Sequence, residues 1–353
     1  MDLDIGGKFV NWKFILFSSS MAACAALLGG CASTPTAAVE QNVYWQRVAA
    51  SLQQSTQLRE RMFAANLLGL GVTIDELSAQ QASEKKPVSA NPAALAAARA
   101  LIAEAEHADD PLALSLATHA ASTFGDHALA SRMAARWQAV EADNLVPRLY
   151  TSAPMANLLS GARDTSRYDT HGYDQVRLMA SVFTRFPMTR EETGSNSNPA
   201  YSNDALRAGA NAFGIWFAVS TPAFQALTNE CKGPALEATP TRREDCLHVA
   251  KVMAGDPSDL LSKGLGISML ERAAIAPEDI ALATALRRNK EWQQPQYFAA
   301  FIQGKDEQEQ ISDMLRLLNT PGVGNEIQMM EAALREKGIP LTPPTDWQPH
   351  IPD

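Results

Sequence analysis

Residues 110–150 carry the clearest helical signals of the chain and read DPLALSLATHAASTFGDHALASRMAARWQAVEADNLVPRLY. Its apolar residues recur at intervals of three and four, which is the period of an amphipathic α-helix. Asp110 stands before Pro111, so an N-cap side chain precedes a proline at the first helical position. A turn at Gly125-Asp126 separates this helix from a second one. The stretch therefore predicts a helical hairpin.

The same signals extend this prediction to the rest of the chain. Asn91-Pro92 and Asp256-Pro257 repeat the pattern of an N-cap followed by proline. Alanine is abundant and runs with a period of two are scarce, so nearly every periodic segment indicates a helix. We therefore predict an all-α fold, either an irregular α-solenoid or a multi-helix bundle of antiparallel helical hairpins. The predicted helices lie at about 39–68, 92–107, 111–124, 127–141, 144–150, 154–161, 172–186, 203–218, 221–230, 242–254, 257–274, 277–291, 295–303, 307–319 and 323–337.

The hairpin between residues 110 and 150 resembles a tetratricopeptide or Sel1-like unit, which has a period of about 34 residues. Ala130 and Ala134 provide the small contacts with which such hairpins pack closely. The resemblance implies a helical-repeat architecture. No second unit carries the same residues, so we expect an irregular solenoid, and a compact bundle without repeats remains open.

The N-terminus has the order of an export signal. Lys8 and Lys13 precede an uncharged stretch of 17 residues, 14–30, which is short for a bilayer span of about 20 residues but suits a secretory h-region. The stretch closes with Leu28-Gly29-Gly30-Cys31, which resembles the lipobox of bacterial lipoproteins. That resemblance implies a signal peptide over 1–30, cleavage before Cys31 and acylation of that cysteine. An ordinary signal peptide, or a short helix with a chance cysteine, is the alternative.

The resemblance to lipoproteins also implies a location. Residue 32 is alanine rather than aspartate, and by the sorting rule of lipoproteins in two-membrane bacteria this implies the outer membrane, with the chain facing the periplasm. Several acyl chains would hold the protein firmly on the membrane. We therefore expect a membrane partner through the lipid and a working domain in an oxidising compartment.

The remaining cysteines of the mature chain are Cys231 and Cys246. In an oxidising compartment an even pair favours a disulfide, which would contribute about 3 kcal/mol by the loop-entropy estimate. Two separate buried thiols are the alternative.

Polar and proline-rich stretches suggest the domain organisation. After the signal peptide we predict a lipidated tether over 31–38, an N-terminal helical segment over 39–77, a linker over 78–91, a helical-repeat-like body over 92–338 and a proline-rich C-terminal strap over 339–353. Trp347 within the strap suggests that it packs on the body.

Composition and motifs exclude several functions. The chain carries 30 Lys and Arg against 39 Asp and Glu, a net charge of -9, and no basic block, so nucleic-acid binding is disfavoured. The six histidines are scattered, and H-E-x-x-H and C-x-x-C motifs are missing, so we expect no metal and no cofactor. The nucleophile motif G-x-S-x-G is also missing. No residue is predicted to be catalytic, and we favour a protein that is not an enzyme.

The candidate binding residues are aromatic, arginine and acidic side chains. A solenoid presents a concave face that binds peptides or proteins through aromatic and arginine anchors. The long polar stretch 189–203 adds an acidic pair and a tyrosine. The predicted partner-binding residues are Tyr168, Tyr173, Arg177, Glu191, Glu192 and Tyr201.

The sequence thus predicts a lipid-anchored, periplasm-facing helical protein that binds another envelope or secreted protein without catalysis. One alternative is an immunity lipoprotein that inhibits a toxin delivered to the periplasm, such as a cell-wall hydrolase, since an acidic surface would steer a basic toxin toward it. A less favoured alternative is an enzyme acting on peptidoglycan, which would need a protonated glutamate in a cleft.

Overall fold

The computed structural model describes residues 35–81, 91–189, 192, 203–219, 222, 224–255 and 257–348. The predicted signal peptide, Cys31 and the tether up to residue 34 lie outside the described residues. The same holds for residues 82–90 of the predicted linker, for Glu191 and Tyr201, and for the end of the strap.

Helices make up the regular structure of the described residues, which contain no strand, so the all-α prediction is confirmed. The α-helices are α1 Pro35–Gln53, α2 Leu58–Gln81, α3 Pro92–Ala103, α4 Pro111–Thr123, α5 His127–Val140, α6 Met155–Gly161, α7 Gly172–Arg185, α8 Asp204–Val219, α9 Phe224–Glu230, α10 Arg242–Gly255, α11 Leu260–Ala273, α12 Pro277–Tyr297, α13 Glu307–Leu318 and α14 Glu326–Glu336. None of these described helices is both long enough and apolar enough to cross a bilayer.

Neighbouring helices pack as hairpins that share one core. The hairpins pair α1 with α2, α4 with α5, α7 with α8, and α10 with α11. Residues 110–150, predicted to form a helical hairpin, contain α4 and α5, and α4 also packs against α2. The core includes Phe63 of α2, Trp137 of α5, Phe183 of α7 and Met329 of α14. The described residues therefore form a multi-helix bundle of packed hairpins.

The N-terminal helices correct two predictions. The single helix expected over 39–68 is interrupted after Gln53, because the Ser55 hydroxyl accepts a bond from Gln57 N at 3.1 Å and donates one to Glu60 Oε2 at 2.7 Å. Such local side-chain bonds compete with the helix. In addition, α2 continues to Gln81 into the predicted linker, and it packs on α3 and α4 rather than standing apart from the body.

Two of the three predicted helix openings are confirmed. Asn91 Oδ1 accepts from Ala93 N at 3.2 Å, and Asp110 Oδ1 accepts from Leu112 N at 3.1 Å. The third, at Asp256-Pro257, is wrong. Pro257 pairs with Tyr168 in an isolated bridge, so α11 begins only at Leu260.

The C-terminal elements differ from the prediction in one respect. The helices predicted at 277–291 and 295–303 form one helix, α12, which contains Pro295 and continues into a π-helical turn over Phe298–Ile302. Pro295 cannot donate to the carbonyl of Glu291, and the π-helical turn after it closes with the bond from Gln303 N to Phe298 O at 2.8 Å. The strap lies on α12: Trp292 Nε1 donates to Pro340 O at 2.7 Å, and the rings of Trp292 and Trp347 are 5.7 Å apart.

The predicted disulfide between Cys231 and Cys246 is confirmed. Both residues are fully buried, and their Cα atoms are 5.5 Å apart. The bond joins the end of α9 to α10, which rules out the alternative of two separate thiols.

Candidate functional site

An open pocket of about 480 Å³ lies where the α13–α14 connection faces α7. We name it the 318–324 pocket. Gly322 turns the connection with a positive φ of 83°, a conformation that glycine adopts without strain. The pocket is lined by Arg177, Leu318, Asn319, Thr320, Pro321, Gly322, Val323, Gly324 and Gln328.

Arg177 braces the wall of this pocket. Its Nε and Nη2 donate to Leu318 O at 3.2 and 2.8 Å, Nη2 also donates to Val323 O, and Nη1 pairs with Asp174 at 3.0 Å. The guanidinium thus uses its donors to hold the connection in place. Of the predicted binding residues, Arg177 lies at the pocket, as a positioning residue rather than a free anchor.

The opposite wall is the start of α14. Asn325 caps this helix by accepting from Gln328 N at 2.9 Å, and Gln328 Oε1 accepts from Gly324 N at 2.7 Å. Asn319 is exposed at the rim. The lining combines the Arg177 guanidinium, the Thr320 hydroxyl and the amides of Asn319 and Gln328 with apolar side chains. Such a surface can form hydrogen bonds with a polar partner.

Tyr168 and Tyr173 are core residues, only 1% and 2% exposed. The Tyr173 ring packs against that of Trp216 at 5.7 Å, and its hydroxyl contacts Met329 Sδ at 3.2 Å. Burial raises the pKa of both phenols. The interpretation of these rings as surface anchors is therefore corrected, because both are enclosed by packed helices.

Glu192 fastens the start of the predicted loop to α1. Its carboxylate forms two bonds of 2.8 Å with the Arg47 guanidinium and accepts from Thr189 N at 2.7 Å. The bond with Arg47 holds the pKa of Glu192 below its usual value. This carboxylate is thus engaged within the chain, while Glu191 and Tyr201 lie outside the described residues.

A second polar cluster surrounds Glu141. Its carboxylate accepts from Trp137 Nε1 at 2.7 Å, from Asn144 Nδ2 at 3.0 Å and from Arg167 Nη2 at 2.6 Å, and it lies 2.9 Å from His171 Nε2. Burial opposes the charge, but the bonds to His171, Arg167 and Asn144 prevail and hold the pKa of Glu141 well below its usual value. With its acceptors occupied, the cluster ties α5 to the start of α7.

Comparisons with protein-family models, with curated proteins and with solved structures gave no match. Within the described residues, no group of three or more His, Cys, Asp or Glu side chains could hold a metal ion.

The sequence analysis did not predict the connection that forms the pocket. It placed helices over 307–319 and 323–337, which left only three residues between them. The Pro321-Gly322 dipeptide was the local signal for a turn. The bond from Leu260 N to Glu326 Oε2, which joins the start of α11 to the start of α14, was missed as well. The two residues are 66 positions apart, and nothing in the sequence indicates that they bond.

Proposed function

We propose that this chain is a lipid-anchored, periplasm-facing protein that binds another envelope or secreted protein through the 318–324 pocket, without catalysis. The observation that carries this proposal is the pocket itself. Arg177 fixes its wall, Asn319 and Gln328 offer hydrogen-bonding groups, and its described lining has no group suited to acid–base chemistry. Specific recognition needs polar groups held in place in this way.

The proposed location is supported by two features. The sequence ending at Cys31 resembles a lipobox, and the buried Cys231–Cys246 bond is of the kind that persists in oxidising compartments. Because α1 begins at Pro35, the reach from Cys31 to the first helix is at most about 14 Å. On this proposal the lipid would hold the helical body close to the membrane surface.

Metabolic labelling with palmitate tests the anchor. We expect label in the wild-type chain and none in Cys31→Ala, because the thiol is the proposed site of acylation. Full labelling of the substituted chain would refute the anchor without bearing on the pocket.

A pull-down tests the binding function. The chain starting at Ala32 is used as bait in an envelope extract, alongside Asn319→Arg, which obstructs the rim, and Ala135→Arg on the exposed face of α5 as the control. We expect a partner that is retained by wild type and the control and lost with Asn319→Arg. Equal retention by all three baits would contradict the proposed pocket.

An immunity protein is the second candidate, favoured by the net charge of -9. An acidic protein attracts a basic toxin over a distance and accelerates binding. If the partner recovered in the pull-down is a cell-wall hydrolase, the purified chain should inhibit it. A bound hydrolase that stays fully active would argue for a scaffold instead.

An enzyme acting on peptidoglycan would need a protonated glutamate that opens on a cleft. Burial raises the pKa of Glu326 to about 7, which supplies the first requirement. However, Glu326 is not among the residues that line the 318–324 pocket. Muropeptide release by wild type but not by Glu326→Gln would revive this candidate.

A further inference from the structure

Three side chains of α12 hold the C-terminal strap by its backbone. Each of them donates to main-chain oxygens: Trp292 Nε1 to Pro340 O at 2.7 Å, Gln293 Nε2 to Leu341 O at 2.8 Å, and Arg288 Nη2 to Pro344 O, to Thr345 O at 3.1 Å and to Trp347 O at 3.2 Å. We call Arg288, Trp292 and Gln293 the strap site.

The chemistry of the strap matches these donors. Residues 340–344 read PLTPP, so the prolines at 340 and 343 have the P-x-x-P spacing. Proline has a carbonyl but no N–H, and a proline-rich segment therefore offers acceptors that its own backbone does not satisfy. Side-chain donors and aromatic rings are the usual means by which proteins bind such segments. The strap site supplies both.

The aromatic part of the site is Trp292. Its ring meets that of Trp347 edge to face, with the centroids 5.7 Å apart and the planes at 78°. This arrangement is favourable for aromatic pairs. The other half-buried residues of the strap are Ile339, Leu341 and Pro343, so the contact combines apolar side chains with the row of carbonyls. The bonds themselves depend on the backbone and not on which side chains the strap carries.

The strap is held loosely. Pro340, Pro344 and Asp346 are exposed, and the bonds from Trp292 to Pro340 and from Arg288 to Thr345 are open to solvent. Water competes for exposed hydrogen bonds, which reduces their net contribution. In addition, Arg288 Nε is enclosed and has no hydrogen-bond partner among the described residues, so the strap leaves one donor of the site unused. A second segment of the same chemistry can therefore displace it.

The strap site does not depend on the strap for its position. Gln293 is 5% exposed and anchors this part of α12 in the body, while the strap leaves α14 at Gly338, which has a positive φ of 67°. Glycine adopts this conformation without strain. The strap can thus move about Gly338 while α12 stays in place.

We propose that the strap site binds a proline-rich segment of another protein, and that the strap occupies the site until that segment replaces it. The occupant seen in the structure shows which chemistry the site accepts: an irregular segment with prolines, a row of free carbonyls and one tryptophan. The strap is then an intramolecular competitor. A short tether gives it an effective concentration on the order of millimolar, so a separate segment binds weakly until the strap is loosened.

Fluorescence anisotropy with the full chain in non-ionic detergent tests this proposal. The probe is a labelled peptide of residues 339–348, and the protein is either wild type or Trp347→Ala, which loosens the strap by removing its aromatic contact. We expect saturable binding to Trp347→Ala that is tighter than binding to wild type by about tenfold or more. Circular dichroism verifies that the helices of Trp347→Ala are intact. No saturable binding to Trp347→Ala, or equal affinity for both chains, would overturn the proposal.

Two further peptides test which features are recognised. One carries Pro340→Ala, Pro343→Ala and Pro344→Ala and should bind at least several-fold more weakly. The other keeps the three prolines and Trp347 and has alanine at every remaining position, and it should bind within about tenfold of the strap peptide, since the site contacts the backbone. Binding that ignores the prolines, or that requires the exact strap sequence, would contradict recognition of proline-rich segments in other proteins.

Substitutions in the Trp347→Ala chain locate the binding. Trp292→Phe removes the indole donor but keeps a ring, and Arg288→Gln removes the guanidinium. We expect each to weaken binding of the strap peptide several-fold. Arg132→Gln makes the same change as Arg288→Gln on α5, where Arg132 is 60% exposed, and it should bind the peptide as its parent does. Unchanged affinity in both Trp292→Phe and Arg288→Gln would refute the site.

A second copy of this chain is the other possible occupant, because its strap has the same sequence. Size-exclusion chromatography with light scattering tests this for wild type over a range of concentrations. We expect a monomer throughout. A dimer that disappears in Trp347→Ala would show that straps are exchanged between copies, and it would overturn the proposal of a different partner.

This inference goes beyond the proposed function and does not depend on it. The strap site and the 318–324 pocket share no residue, so Asn319→Arg in the Trp347→Ala chain should leave peptide binding unchanged. Failure of one test therefore leaves the other proposal standing.

Discussion

Replacing Glu326 by glutamine should change how stability depends on pH. Burial is the main cause that raises the pKa of this carboxyl from an ordinary value of 4.5 to about 7, and the charge of Asp259 adds to it. The phenols of Tyr173 and Tyr297 also lie near it. Between these two pH values the folded chain keeps a proton that the unfolded chain has released. The protonated Glu326 carboxyl therefore makes its full contribution to the free energy of unfolding at low pH, and this contribution is lost as the pH rises through 7.

The size of this effect follows from the shift. A change of about 2.5 pH units corresponds to about 3 kcal/mol at most. Since Glu326 keeps partial exposure, water screens the carboxylate and we expect about 1–3 kcal/mol. Glutamine has no charge to bury and retains the acceptor for Leu260 N. Glu326→Gln should thus stabilise the fold by this amount at pH 8 and change it little at pH 5.

Urea unfolding at pH 5 and pH 8 measures the difference. Glu331→Gln carries the same change on the same helix and reports the background titration of the other groups. A gain from Glu326→Gln that is the same at both pH values, or a loss at pH 8, would refute the assigned role of burial at Glu326.

Three further predictions concern packing and the pocket. The double substitution Cys231→Ser and Cys246→Ser should lower the free energy of unfolding by about 3 kcal/mol; an unchanged urea midpoint would contradict a stabilising bond. Gly266→Ala should destabilise the fold by about 1–3 kcal/mol in thermal melts, because the new Cβ would lie 2.6 Å from the α10 backbone. Gly214→Ala is its control and should be neutral or slightly stabilising, since no atom lies within 4 Å of its new Cβ. Arg177→Ala should speed amide exchange in residues 318–324 at least tenfold, and Arg177→Lys should do so less; exchange as slow as in wild type would show that Arg177 does not brace the pocket.

The helices were predictable because their signals are local. Apolar spacing and the caps at Asn91 and Asp110 specify a helix without reference to the rest of the fold. Two predictions of helix ends failed, one for a local reason and one for a distant one. Ser55 redirects the backbone between α1 and α2, and Pro257 pairs with a distant segment instead of opening a helix. Where a residue can either join a helix or bond elsewhere, the packing of the whole fold determines which of the two occurs.

The candidate sites were harder to predict, because contacts between distant residues create them. The Leu260 amide and the Glu326 carboxylate meet across 66 positions, and Arg177 reaches carbonyls more than 140 positions away. A pattern of tyrosines also cannot distinguish an exposed anchor from a core ring, and Tyr168 and Tyr173 are core. By contrast, Cys231 and Cys246 were paired correctly since no other cysteine remained for them in the predicted mature chain.

Photo-crosslinking in living cells tests the central claim, that the 318–324 pocket binds an envelope protein. A photoreactive amino acid at Asn319 should give, on irradiation, one discrete product of higher mass in the membrane fraction. The same group at Ala135 on α5 should give none. No product from position 319, or the same products from both positions, would contradict the claim.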